Sequence, residues 1–243
     1  MNRLTIVHLY PELLNLYGDR GNVTALAKRC EWRGIPVRVL EVSADQPVNF
    51  GEADIVYIGG GADREQGLAK DALAPQAEEL AAYVADGGVV LAACGGFHML
   101  GRSFVLNGEE VPGLGVLDMA TVPGDERHIG NVAAVAEQFP MPIVGFENHS
   151  SLVKLGEGRQ PLSRKLHAGF GNNGQDGTEG AVLNNLLGTN LHGPLLPKNP
   201  QVADHLIAAA LQRKGAADLL PLAPLDDAAE QAANAYMAHR LGA

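Results

Sequence analysis

Gly87-Gly88-Val89-Val90-Leu91-Ala92-Ala93-Cys94-Gly95-Gly96-Phe97-His98-Met99-Leu100-Gly101 decides how this chain folds. The apolar run from Val89 reads as a buried strand, and the apolar residues after the two glycines read as a helix. The join is a sharp turn, tolerable only where the flanking residues lack bulk. It holds the Cys94 thiol at the end of a sheet, the geometry drawn for serine in the strand–turn–helix nucleophile elbow. A thiol at a helix N-terminus has a lowered pKa and is more fully thiolate at neutral pH. A cysteine in an apolar run is more commonly a packed core residue. The glycine pair turns the reading towards a nucleophile.

The neighbouring stretches supply the sheet. Leu4 to Leu9, Val37 to Val42 and Asp54 to Ile58 read as strands, rich in β-branched residues. Asn22 can cap a helix running to about Arg33, with Gly34 closing it, and a second helix runs from about Ala74 to Ala85. Strands alternating with helices imply an α/β fold with a mostly parallel central sheet and helices on both faces. From Gly101 to Gly193 the pattern becomes short strands, glycines and turns, more antiparallel in character. Leu186 to Leu191 is strand-like, and His192-Gly193-Pro194 turns out of it. Asn199-Pro200 begins a helix reaching about Lys214. These segments make one domain over residues 1–214, followed over 215–243 by a Pro-rich connection and an Ala-rich helix from Asp226 to Leu241. That tail can pack on the core, bind a partner or stay loosely ordered.

Composition narrows the function. The chain has 243 residues, 46% of them hydrophobic, and a formal net charge of −10, which argues against nucleic acid or an anionic membrane as the main partner. The first residues lead straight into a strand with no signal-peptide layout, and no apolar stretch is long enough to span a bilayer. A cytoplasmic protein without a transmembrane segment is the expectation. The two cysteines, Cys30 and Cys94, lack the spacing of a zinc site, and Cys30 reads as a packed helix residue.

A thiolate nucleophile needs a base and donors for the oxyanion it creates. Ligands of parallel sheets gather at the carboxyl ends of the strands, where both Gly59-Gly60-Gly61 and Cys94 fall. The backbone N–H groups of Gly60 and Gly61, with that of Gly95, are candidate donors; a plain turn is the simpler reading of the glycine triplet. Eight histidines compete as base. His8, His205 and His239 lie inside regular elements, and spacing does not rank His149 or His167. His98, one helical turn after Cys94, and His192, in a second turn at a sheet end, remain. Two strand ends, one carrying cysteine and the other histidine, are what a Cys–His pair requires.

Cys94-Gly95-Gly96 after an apolar strand, with the late Thr189-Asn190-Leu191-His192-Gly193, resembles class I glutamine amidotransferases of the cobyric acid synthase-like branch. Four further stretches, Tyr17-Gly18-Asp19-Arg20-Gly21-Asn22, Gly59 to Gln66, Gly145-Phe146-Glu147-Asn148-His149 and Leu191 to Pro200, are similar to the family of glutaminase subunits that serve lipid II amidation. The likeness covers about residues 3–213, and the ordered set is more specific than any single motif.

The resemblance implies a flavodoxin-like amidotransferase domain that hydrolyses L-glutamine to glutamate and ammonia. Cys94 would form a glutamyl thioester, and His192 would act as general base and acid. Arg127, in Arg127-His128-Ile129-Gly130, would contact the substrate, a planar guanidinium suiting the α-carboxylate. Gln66 is carried over as a further substrate contact. No cofactor is implied in this chain. Ammonia would pass to a Mur ligase-like partner in a heterodimer, which holds ATP and Mg and amidates the D-glutamate of lipid II to D-isoglutamine. Three positions depart from the wider pattern. Pro194 stands where a triad glutamate is common, leaving Asp19 as a candidate orienting or substrate-contacting acid. His98 stands where glutamine is common, and remains a rival base. Asn190 stands where tyrosine is frequent, and reads as a tolerated change. Two other functions compete: a cysteine hydrolase of peptides or γ-glutamyl compounds, and a non-catalytic scaffold subunit.

Overall fold

In the computed structural model, which describes residues 3–243, the apolar runs of the first hundred residues become one parallel sheet. The chain begins β1 (Leu4–Leu9), α1 (Arg20–Trp32), β2 (Val37–Val42), β3 (Ile55–Ile58), α2 (Asp63–Leu73) and α3 (Ala77–Ala85). It continues through β4 (Val89–Ala93) and the single turn α4 (Gly95–His98). Five strands follow: β5 (Ser103–Leu106), β6 (Glu109–Pro112), β7 (Met119–Val135), β8 (Ile143–Leu155) and β9 (Lys165–Ala168). The last part holds β10 (Ala181–Leu183), β11 (Leu186–Thr189), β12 (Leu191–His192), α5 (Pro200–Arg213) and α6 (Ala228–Arg240).

The first sheet has the order β10-β11-β4-β3-β1-β2, parallel except for the edge strand β10. Every residue of β1, β3 and β4 is buried, because helices cover both faces and leave no polar side. Alternate residues divide between two cores. Leu4, Ile6, Ile55 and Leu91 meet Leu26 of α1 and Leu206 of α5 on one face. Val7, Val56 and Val90 meet Ala69 and Leu73 of α2 and Leu80 of α3 on the other. The second sheet, β12-β8-β7-β5-β6 with β9 against β7, is built on the β7–β8 antiparallel hairpin. The chain crosses between the sheets at Asn190, immediately after β11.

Several elements differ from their sequence reading. α1 starts at Arg20, and Asn22 is inside it. The Asn22 amide accepts from Leu196 N–H (2.8 Å) and donates to the Tyr57 hydroxyl (2.8 Å) instead of capping. α2, masked in the sequence by charged residues and Gly67, directly follows the Gly59-Gly60-Gly61 loop. The expected helix after Cys94 is one turn long, since the carbonyls of Met99 and Leu100 accept from Leu114 and Leu117. β7 and β8 are long strands, β7 continuing past an irregularity between Pro123 and His128.

The C-terminal segment packs on the body. Ala238 of α6 sits against Ala133 and Val144, and the Asn234 amide donates to Pro142 and Lys198 carbonyls. Arg29, nearly buried in α1, spans two acids: Asp204 of α5 and Asp227 at the start of α6, at 2.6–2.8 Å. Removing one member of such a pair leaves desolvated charge behind. Arg29→Ala is expected to cost about 3–5 kcal/mol, read by denaturant unfolding, and to speed amide exchange in α6 first.

Candidate active site

Cys94 sits at the C-terminal end of β4 with φ 47° and ψ −114°, a conformation L-residues rarely adopt. Its N–H donates to Thr189 O of the neighbouring strand (2.7 Å), which pins the strained residue between two strand ends. The glycines after it are required. A Cβ on Gly95 would stand 2.4 Å from the Gln66 side chain, and one on Gly96 would stand 2.5 Å from Gly59 O. The elbow read from the sequence is therefore present, held by backbone strain of the kind stored at functional sites. Relief of that strain should outweigh the added chain entropy, so Cys94→Gly is expected to be more stable than Cys94→Ala by about 1 kcal/mol. Paired thermal melts of the two variants check it.

The expected depression of the thiol pKa is absent. Burial pushes the Cys94 thiol up to about 12, and the charge of Asp19 adds to it, against the weaker pull of the Gly95 N–H and Arg127. α4 is too short to supply much of a dipole. The resting nucleophile is a thiol, to be deprotonated when substrate arrives.

The glycine loop is only partly free to stabilise an oxyanion. Gly60 donates its N–H to the Asp19 carboxylate (2.8 Å), so Gly60 is not an available donor, a correction to the sequence reading. Gly61 and Gly95 remain the candidate donors. Gln66 packs over Gly95 and donates to Gly61 O at 2.6 Å, so it braces the donor loop as well as lining the pocket.

His192 lies on β12, in the second sheet, opposite Phe146 of β8. Since Thr189 pairs with Ala93, the histidine turn leaves its strand beside Cys94. The Tyr17-to-Asn22 stretch clasps this turn. The Tyr17 ring lies 4.5 Å from the imidazole; the Gly193 N–H and Tyr57 hydroxyl face Asp19; Asn22 holds Leu196 N–H. A Cβ on Gly21 would stand 2.6 Å from Pro194 Cγ. Pro194 thus packs against α1, and among the described residues no carboxylate hydrogen-bonds either ring nitrogen of His192. Burial, followed by the charges of His149, Lys198 and Arg127, lowers the His192 pKa to about 4. Asp19, fully buried, is raised to about 6 by desolvation despite its hydrogen bonds. Its carboxylate bonds the glycine loop at Gly60 and faces Gly193 of the histidine turn, not the imidazole.

An opening of about 410 Å³ brings together Cys94, Gln66, His98, Arg127, Tyr17 and His149. Arg127, on β7, donates its Nε–H to Asn148 Oδ1 (2.6 Å), and the Asn148 amide donates to the Tyr17 hydroxyl (2.6 Å). Among the described residues nothing else hydrogen-bonds the guanidinium. His192 is not among the residues that line this opening; its buried ring packs against Tyr17, which does line it.

Sequence reasoning missed two buried networks. Glu147 accepts from the N–H groups of Phe170 (2.6 Å) and Gly171 (2.9 Å) and lies 3.5 Å from His149 Nε2. Asn190 is no neutral replacement: its Oδ1 is 2.8 Å from His98 Nε2, and its amide donates to Glu179 (2.8 Å). The Glu147-Asn148-His149 run was the available signal for the first. The second joins residues distant in sequence, and nothing local marks it.

Comparison with known proteins agrees with this geometry. Residues 5–200 match the CobB/CobQ-like glutamine amidotransferase domain. The chain is 40% identical over 95% of its length to a Staphylococcus aureus protein, of which it covers 93%. It is 36% identical over 96% of its length to a Streptococcus pneumoniae protein, of which it covers 90%. Both are named as subunit GatD of lipid II isoglutaminyl synthase (glutamine-hydrolyzing). Among solved structures, one described as a glutamine amidotransferase superposes with a TM-score of 0.52 at 17% identity, over 86% of this chain and 98% of that one. That last likeness is one of fold.

Proposed function

Since the chain belongs to the CobB/CobQ-like glutamine amidotransferase family, we propose that it is a glutaminase subunit that takes ammonia from L-glutamine through Cys94. The carrying observation is the strained Cys94 elbow facing one pocket with the unpaired part of Arg127, beside the clasped His192 turn. Arg127 binds the α-carboxylate of glutamine bidentately. His192 takes the thiol proton as Cys94 Sγ attacks the side-chain amide carbon. The N–H groups of Gly61 and Gly95 receive the oxyanion. Collapse breaks the C–N bond, and His192 returns the proton to the departing ammonia. Water then adds to the thioester and releases glutamate and the thiol.

The subunit names of the two relatives that match nearly end to end support a further step for the ammonia. In this reading a separate Mur ligase-like subunit, holding ATP and Mg, activates the α-carboxylate of D-glutamate in lipid II. Ammonia from this chain converts it to D-isoglutamine. Among the described residues no helix is long and apolar enough to cross a membrane, and the need for an ATP-using partner supports a cytoplasmic reaction. The test is to purify the chain with the ligase-like protein it binds and assay amidation of lipid II. Amidation that needs both glutamine and ATP, with a glutamine analogue adduct on Cys94 by mass spectrometry, is the expected result. Amidation driven equally by free ammonium in the absence of this chain, with no ammonia released from glutamine, would overturn the proposal.

A further inference from the structure

We propose that Asn190 and Glu179 lock His98 as its Nε2–H tautomer, so that the bare Nδ1 accepts a hydrogen bond from the α-ammonium group of the substrate. The chain of hydrogen bonds begins at the backbone of Gly180. Its N–H donates to Asn172 Oδ1 (2.8 Å), and its carbonyl accepts from Asn172 Nδ2 (3.0 Å). A backbone donor and a backbone acceptor leave the Asn172 amide one orientation. Asn172 Oδ1 then requires a donor from Asn190, whose Nδ2 lies 3.1 Å away. The same Nδ2 donates to Glu179 Oε2 at 2.8 Å. The other oxygen of Glu179 accepts from the Thr189 hydroxyl (2.6 Å) and from Asn190 N–H (2.9 Å), so the fully buried carboxylate cannot swing away.

With its NH₂ group committed, Asn190 presents Oδ1 to His98 Nε2 at 2.8 Å. A carbonyl oxygen cannot donate, so the proton of this bond belongs to His98. Which ring nitrogen of a histidine carries hydrogen is set by the bond the other atoms make. Burial lowers the His98 pKa to about 4, so the ring is neutral and carries one N–H only. Nδ1 is left as an acceptor. No group among the described residues hydrogen-bonds it, and the ring lines the opening shared by Cys94 and Arg127. An amino acid whose carboxylate is held by Arg127 carries an ammonium group that a guanidinium repels and a neutral imidazole nitrogen attracts. Asn190 and Glu179 are positioning residues in this scheme. The identity of the ligand rests on the proposed glutaminase function; the tautomer does not.

The test is ¹⁵N NMR of the full chain labelled at histidine, with His98→Gln used to assign the resonances. The expected spectrum at neutral pH has a protonated Nε2 and a bare Nδ1 on His98, and Asn190→Leu should shift both towards a mixture of tautomers. In glutamine hydrolysis, His98→Leu and Asn190→Leu should each raise KM about tenfold or more, with kcat changed far less. His98→Gln, whose side chain can donate to Asn190 and accept from the ligand, should recover most of the loss. A predominant Nδ1–H tautomer in the unaltered protein would overturn the lock. Equal KM values for His98→Leu and His98→Gln, or a loss confined to kcat, would overturn the ammonium contact. If the unaltered chain hydrolysed no glutamine, the glutaminase reading would fail while the nitrogen shifts still decided the lock.

Discussion

Cys94→Ala is expected to lower glutamine hydrolysis by about three orders of magnitude or more, leaving the fold and glutamine binding in place. The size follows from what the site retains. In the proposed mechanism Arg127, Gly61 and Gly95 would still bind the substrate and polarise the amide, but no other thiol can replace Cys94, since Cys30, the chain's other cysteine, is packed in the core against α1 and α5 and pushed up to about 12 by burial. Cys94→Ser should be nearly as impaired. A hydroxyl is less acidic than a thiol, and this site already disfavours the charged nucleophile. Ammonia release measured alongside thermal stability separates chemistry from folding. Either variant within tenfold of the parent rate would remove Cys94 from the mechanism.

The elbow was legible because its demands are local. A strand buried on both faces must read as a continuous apolar run, and a turn packed against Gln66 and Gly59 O must carry glycine. Asp19 was legible only through resemblance, and its position explains why. It reaches the site through the backbone N–H of Gly60, which leaves no trace in side-chain patterns. The readings that failed were those in which a residue's partner lies far along the chain. Asn22 looked like a helix cap because Leu196, which it holds, is distant. Asn190 looked neutral because its value depends on Glu179 and His98 together. The thiol pKa was misjudged for a related reason: motif order reports a helix N-terminus but not how deeply the sulfur is buried, and desolvation outweighs one turn of helix.

His192→Ala is expected to reduce kcat by about 10²–10⁴-fold, whereas the corresponding loss in His98 variants should fall mainly on KM. That contrast decides which histidine is the base. The pH dependence sharpens it. His192 must be neutral to accept the thiol proton, and its pKa is lowered to about 4. The competent form is therefore present above that value and lost as pH falls through it. On this account kcat/KM has no acid limb near 6.5 from His192. Asp19, raised to about 6, changes charge in between; it bonds the glycine loop and faces the histidine turn. A limb near 6 that disappears in Asp19→Asn belongs to Asp19; one that persists would show that a histidine outside this scheme titrates. The low-pH end needs a folding control. His8, His98 and His192 all have folded values of about 4 against an unfolded 6.5, so between those values the unfolded chain binds protons the native state rejects, and stability falls with pH. Asp19 opposes this by one proton, since its folded value is the higher. Burial also lowers His128 and His205, which adds to the loss, and raises Glu179, which opposes it with Asp19; the histidines outnumber the acids, so rates towards pH 4 must be read on protein shown by circular dichroism to be folded. A limb that survives this correction and vanishes in His192→Ala identifies the base by the same burial that hides it behind Tyr17.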